Sequence, residues 1–142
     1  TRYKMLMEQF TIIRFSDPLK ALANAKEAEG LAVNINDKRK EGGAISKQGL
    51  IYGDIGNLES SLKDQLEALK IFETIQDTLQ TAGMQLNVAM IFKKQNAIPK
   101  SLDWLGKCLE NFKKAKSKLG EEFVDNNMAS SYRETKKIHR GH

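Results

Sequence analysis

The sequence predicts an all-α chain, a stacked array of antiparallel helix pairs with about seven helices, and three observations predict it. The chain resembles itself at a step of 40 residues: Tyr52, Phe92 and Tyr132, Ile51 and Ile91, Ser61-Leu62 and Ser101-Leu102. The same step pairs Leu58 with Ile98, Ala68-Leu69 with Cys108-Leu109, and Phe72 with Phe112, and it reaches back to Ala21-Leu22 and Ala28. Self-similarity at such a period marks units that bury their apolar faces on one another. Residues 58–75 place Leu58, Leu62, Leu66, Leu69, Phe72 and Ile75 at steps of three and four, an amphipathic helical stripe. The chain has only two prolines, and Val and Thr are sparse in the periodic segments, which disfavours strands.

The 142 residues suit one domain, 1–142, able to bury about two-thirds of the unfolded surface. It divides into a first repeat 1–37, a second 38–77, a third 78–117, and a half repeat or capping helix 118–142. Apolar content of 40% with 29% charged residues fits a soluble globular domain, and no apolar run approaches the ~20 residues of a membrane helix. No membrane contact is expected. The start, TRYKMLMEQF, has neither an initiator Met nor a signal-peptide pattern and is taken as part of a longer protein. A cytoplasmic location is expected, with a bacterial periplasm as the alternative.

In the first repeat, residues 2–14 form a helix with Met5, Leu6, Gln9, Ile12 and Ile13 near one face. Asp17-Pro18 opens a second helix to Ala32, with Asp as N-cap and Pro at the first helical position. The connectors VNINDKRKEGG and ETIQDTLQTAG align at Ile35/Ile75, Asp37/Asp77 and Gly43/Gly83, and both lead into helices, near 42–54 and 80–95. Helix 58–75 follows the first. Helix 98–115, carrying Leu102, Leu105, Cys108, Leu109 and Phe112, follows the second. Trp104 lies off that stripe, either packing on a neighbouring helix or serving as an exposed binding aromatic. A last helix near 121–138 turns Phe123, Val124, Met128, Tyr132 and Ile138 inward. The expected core is Tyr52, Leu62, Leu69, Phe72, Phe92, Leu102, Leu109 and Phe112.

With the copies aligned, the chain resembles the tetratricopeptide repeat family. The pattern is carried by Gly49-x-x-Tyr52, Gly56, Ser61 and Ala68. The next copy has Ala89-x-x-Phe92, Asn96, Ser101 and Cys108, and the last has Ala129-x-x-Tyr132. Small residues let paired helices approach, and the aromatic fills the space between repeats. The family's early Trp falls on Ile45, Gln85 and Asp125, its closing Pro on Glu73 and Lys113, and the period is 40 in place of 34. That longer period is similar to repeats in bacterial sensor kinases and regulators and in animal G-protein signalling modulators. The resemblance implies a right-handed superhelix, with the first helix of each pair lining a concave groove.

At 100° per residue, the first helices carry stripes opposite their packed faces. These are Gly43, Lys47, Leu50 and Asp54, then Gly83, Asn87, Met90 and Lys94, then Phe123, Asn127, Ser130 and Glu134. The candidate peptide-binding residues are therefore Lys47, Leu50, Asp54, Asn87, Met90, Lys94, Asn127 and Ser130. An Asn amide has donors and an acceptor for a peptide backbone.

No catalytic constellation is recognised, and the chain is read as non-catalytic. His139 and His142 cannot build a metal cage or triad alone, and no P-loop, GxGxxG or HExxH occurs. No cofactor or metal is expected. Cys108, the single cysteine, is expected as a buried small residue. Lys107, Lys113, Lys114, Lys116, Lys118, Lys136, Lys137 and Arg140 concentrate the basic charge, chiefly as solvated helix faces. Three readings follow. The first is a protein- or peptide-binding module of a larger signalling or regulatory protein, whose ligand could be another domain of that protein. The second is a spacer or a module that self-associates through its C-terminal helix. Nucleic-acid binding through 107–118 is the least favoured.

Overall fold

A computed structural model describes the backbone of residues 1–140 and the side chains through residue 137. Seven helices follow one another with no strand among the described residues: α1 (Arg2–Ile13), α2 (Pro18–Asn34), α3 (Lys38–Asp54), α4 (Leu58–Thr74), α5 (Thr78–Lys94), α6 (Ile98–Lys114) and α7 (Lys118–Arg140). The all-α helical-repeat expectation holds. The expectations for Ile138, His139, Arg140 and His142 lie outside the described side chains.

Each 40-residue step divides into two equal helix-and-turn units of 20 residues. From α2 to α6 each helix has 17 residues, and each three-residue turn places its middle residue in the left-handed region: Asn36, Gly56, Gln76, Asn96 and Lys116. The turns at Asn36, Gly56, Asn96 and Lys116 close as Schellman motifs. In the first, Asp37 N–H donates to Ala32 O at 2.9 Å and Asn36 N–H to Val33 O at 3.1 Å. The residue that completes each turn then caps the next helix. Asp37, Asn57, Asp77 and Ser117 accept from the backbone N–H of Lys40, Ser60, Gln80 and Gly120 at 3.0–3.2 Å. Ala97 makes no such bond, and Pro99 in the first turn of α6 supplies the helix start instead.

Helix starts are therefore earlier than expected, at 38 and 78 instead of 42 and 80, and at 118 instead of 121. Gly42-Gly43, which seemed to belong to a connector, lie inside α3. A Cβ on Gly42 would stand 3.0 Å from the Phe72 ring, so this glycine permits close packing and breaks nothing.

The chain forms two compact units, the first spanning Thr1–Gln76 and the second beginning at Asp77. In the first, Leu6 and Phe10 of α1 pack on Ala21, Ala25 and Ala28 of α2 and on Ala44 and Ile51 of α3. The alanine stripe brings α2 close to its neighbours while burying little area per residue. Phe72 is buried and contributes roughly 2–3 kcal/mol by its burial. Between α3 and α4 part of the contact is polar and buried. Ser61 Oγ donates to Gly49 O at 2.7 Å, Ser46 Oγ to Gln65 Oε1 at 2.9 Å, and Gln65 Nε2 to Ser46 O at 2.9 Å.

In the second unit, Ala82 and Ala89 of α5, Leu105, Cys108 and Phe112 of α6, and Val124 of α7 form the core. Ser101 Oγ donates to Ala89 O at 2.8 Å, repeating Ser61 one step on. Cys108 is buried as expected, its thiol donating to Ala82 O at 3.3 Å, and burial pushes that thiol up to about 12. Trp104 packs against this core while Lys107 Nζ lies 4.3 Å from its ring centre.

Several core expectations need correction. Leu69, Phe72 and Phe112 are buried, but Tyr52, Leu62, Phe92, Leu102 and Leu109 are half-buried. Tyr132 is 59% exposed and Phe123 51%, so on α7 the inward side chains are Val124, Ser131 and partly Met128. The enclosed residues at the corresponding place in each copy are Ile51, Ile91 and Ser131, one residue before each aromatic. One residue is 100° of helix rotation, enough to move the aromatics to the rim. Likewise Met5 and Ile12 face outward at 54% and 79% exposure, and the packed face of α1 runs through Leu6 and Phe10.

Candidate functional site

The packed faces of α1 and α3 leave opposite residues outward, and between the two helices the first unit has a groove of about 670 Å³. Tyr3, Lys4, Met7, Glu8 and Thr11 line it from α1, and Lys40, Gly43 and Lys47 from α3. Tyr3 Oη donates to Lys40 O at 2.8 Å and fixes the ring against the first turn of α3. Burial, then the charge of Asp37, raises the Tyr3 phenol above its ordinary value, so it remains a donor at neutral pH. Gly43 keeps the floor low, since a Cβ there would come within 3.3 Å of that hydroxyl.

Two expected stripe residues, Gly43 and Lys47, thus line the groove. Lys47 is half-buried, with Nζ 5.7 Å from the Phe10 ring centre, and burial followed by the charge of Arg14 lowers its pKa. Leu50 is half-buried on the same helix. Asp54 is engaged already: Arg14 Nε donates to Oδ2 at 2.8 Å and Nη2 to Oδ1 at 3.0 Å.

The remaining candidates belong to the second unit. On α5, Asn87 and Met90 are half-buried and Lys94 is exposed. On α7, Asn127 turns its amide onto its own helix, Nδ2 donating to Phe123 O at 2.9 Å. Ser130 Oγ accepts from Lys93 Nζ at 3.4 Å, which brings α7 beside the last turn of α5. Asn127 thus commits one of its two amide donors to its own helix, a bond that stripe geometry alone does not reveal.

The α1 contribution was missed. Tyr3, Met7, Phe10 and Arg14 precede Gly43, Lys47, Leu50 and Asp54 by 40 residues, and that step was the available signal. Among the described residues no group of three His, Cys, Asp or Glu side chains is gathered as a metal would require, and no helix is long and apolar enough to cross a membrane.

No family model and no curated protein matches this sequence. Among solved structures, the chain is similar to BtubC (BKLC) from P. vanneervenii, with 17% identity and a TM-score of 0.63 over 97% of this chain and 66% of that one. It is also similar to the apo form of RapI, with 15% identity and a TM-score of 0.66 over 89% of this chain and 51% of that one. This chain therefore spans less than two-thirds of either neighbour's length. At these identities the likeness bears on the fold, which is that of a helical-repeat array.

Proposed function

We propose that this chain is a non-catalytic protein- or peptide-binding module of a larger signalling or regulatory protein, holding a peptide segment on the outward faces of its first helices. The observation that supports it most is the groove between α1 and α3, which opens on the face carrying Gly43 and Lys47. Its walls combine an aromatic ring, a methionine and polar side chains, a mixture suited to a peptide. A helical array offers such faces on rigid elements, so the ordering entropy lost on the protein's side is small.

The test is to select binders from a random peptide display library against the full chain, then titrate the winners. Winners should compete with one another, and substitutions on α1, α3 or α5 outward positions should weaken them with unchanged melting. A library that yields no binder, or binders sensitive only to α2, α4 and α6, contradicts the reading.

A second reading has its own observation. Leu119 and Phe123 lie exposed on one flank of α7, an apolar strip available for pairing between chains. Sedimentation equilibrium over a wide concentration range decides it, since a constant monomer mass excludes self-association through that strip.

A further inference from the structure

The groove is unequal in charge: Lys4, Lys40 and Lys47 face Glu8 alone. The two α3 lysines are held against aromatic faces, Lys40 Nζ at 5.3 Å from the Tyr3 ring centre and Lys47 Nζ at 5.7 Å from that of Phe10. Among the described residues neither is paired with a carboxylate. Arg14, the cation nearest in effect to Lys47, has committed its guanidinium to Asp54. The floor between these charges is apolar, made by Met7 and the Tyr3 ring over Gly43.

We propose, resting on the peptide-binding reading, that this groove takes an acidic peptide segment, with an anionic side chain between Lys40 and Lys47 and an apolar neighbour on Met7 and Tyr3. The argument is one of charge complementarity. A half-buried ammonium has already lost part of its water in the fold, so an incoming anion meets a smaller desolvation cost. Attraction across a partly enclosed groove is also screened less by salt than on an open surface. Lys4 at the exposed rim contributes chiefly to encounter rate. Glu8 opposes a second anion at its end of the groove and so favours a single charge beside the apolar contact.

The experiment uses the full chain and the display winners as fluorescein-labelled synthetic peptides, read by anisotropy. Winners should be enriched in Asp or Glu beside Leu, Ile, Met or Phe. Replacing their acids with the corresponding amides should weaken binding about tenfold, as should Lys47→Gln on the protein. Lys4→Gln should weaken it a few-fold, with the loss growing at low salt. A phosphoserine arm identifies the source of the anion: retained or tighter binding extends the site to phosphate, and loss restricts it to carboxylate. Winners without acidic enrichment overturn the proposal. So do winners that tolerate both lysine variants while Asn87→Ala weakens them; that pattern leaves the peptide-binding reading standing. Absence of any winner overturns both. If Lys47→Gln fails to fold, Lys4→Gln and the amide peptides still decide.

Discussion

Arg14, the C-cap of α1, and Asp54, the last residue of α3, stand at the same repeat position 40 residues apart and are joined by two charge-assisted hydrogen bonds of 2.8 and 3.0 Å. The forked geometry is the strong form of such a pair. Because both groups retain some solvent contact, the pair contributes only about 1 kcal/mol to stability. Asp54→Ala should lower stability by that amount in urea titrations. It should also release Arg14 beside Lys47 and tighten binding of acidic peptides. Weakened acidic-peptide binding by a folded Asp54→Ala would show that Asp54 itself touches the ligand.

Gly120 brings the backbone of α7 against Phe112 of α6. A Cβ there would fall 2.3 Å from Phe112 Cδ1, with further ring atoms at 2.5 and 2.6 Å. The ring is buried in the core of the second unit and has little room to yield. Gly120→Ala should therefore destabilise by about 1–3 kcal/mol despite the higher helix propensity of Ala. A Cβ on Gly30 would meet nothing within 4 Å, so Gly30→Ala should stabilise by about 0.5–1 kcal/mol. Equal effects of the two substitutions in thermal melts would contradict the packing described for Gly120.

Asp64 should make stability depend on pH. Its carboxyl is raised from 3.8 to about 6 by burial first, then by Glu67 and Glu29, with Lys63 and Lys26 opposing, and Oδ2 is buried without a hydrogen-bond partner. The fold thus favours the neutral acid. The stability this contributes is fully present below the unfolded value of 3.8 and is lost as pH rises through about 6. Relative to Asp64→Asn, the parent chain should gain thermal stability between pH 7 and pH 4. Parallel profiles for the two proteins would remove Asp64 as the cause.

The left-handed turn residues offer a fourth test. Gly56 has φ +87°, whereas Lys116 holds φ +57° with a side chain present. Gly56→Ala should cost about 1 kcal/mol, and Lys116→Gly should be neutral or mildly stabilising. A destabilised Lys116→Gly would mean that its side chain contributes more than the backbone strain it imposes.

Much of the fold was legible because the second helices carry a clear 3–4 stripe. Leu69, Phe72, Cys108 and Phe112 fell on the buried side, and Ser61 and Ser101 at the close contacts, as the pattern implied. The helix starts were not legible while Gly42-Gly43 stood for a break, since a glycine packed on Phe72 looks the same in sequence as one in a loop. The caps Asp17, Asp37, Asn57 and Asp77, spaced by 20, and Ser117, a further 40 on beyond Ala97, carried the true boundaries. Tyr52, Phe92 and Tyr132 misled because an aromatic at a repeated position suggests a core, whereas small steps in helix phase place these rings at the rim. On the candidate site, the α3 stripe was readable, but the Tyr3 and Met7 wall depended on extending the repeat to α1.

Ligands are proposed to bind on the outward faces of the first helices. The most direct measurement is an amide proton–nitrogen correlation spectrum of the labelled chain, titrated with a peptide selected on it. Shift changes should concentrate in α1 and α3 around Tyr3, Met7, Gly43 and Lys47, with α2 and α4 nearly silent. Changes concentrated in α2, α4 or α6, with the α1 and α3 amides unmoved, would contradict it.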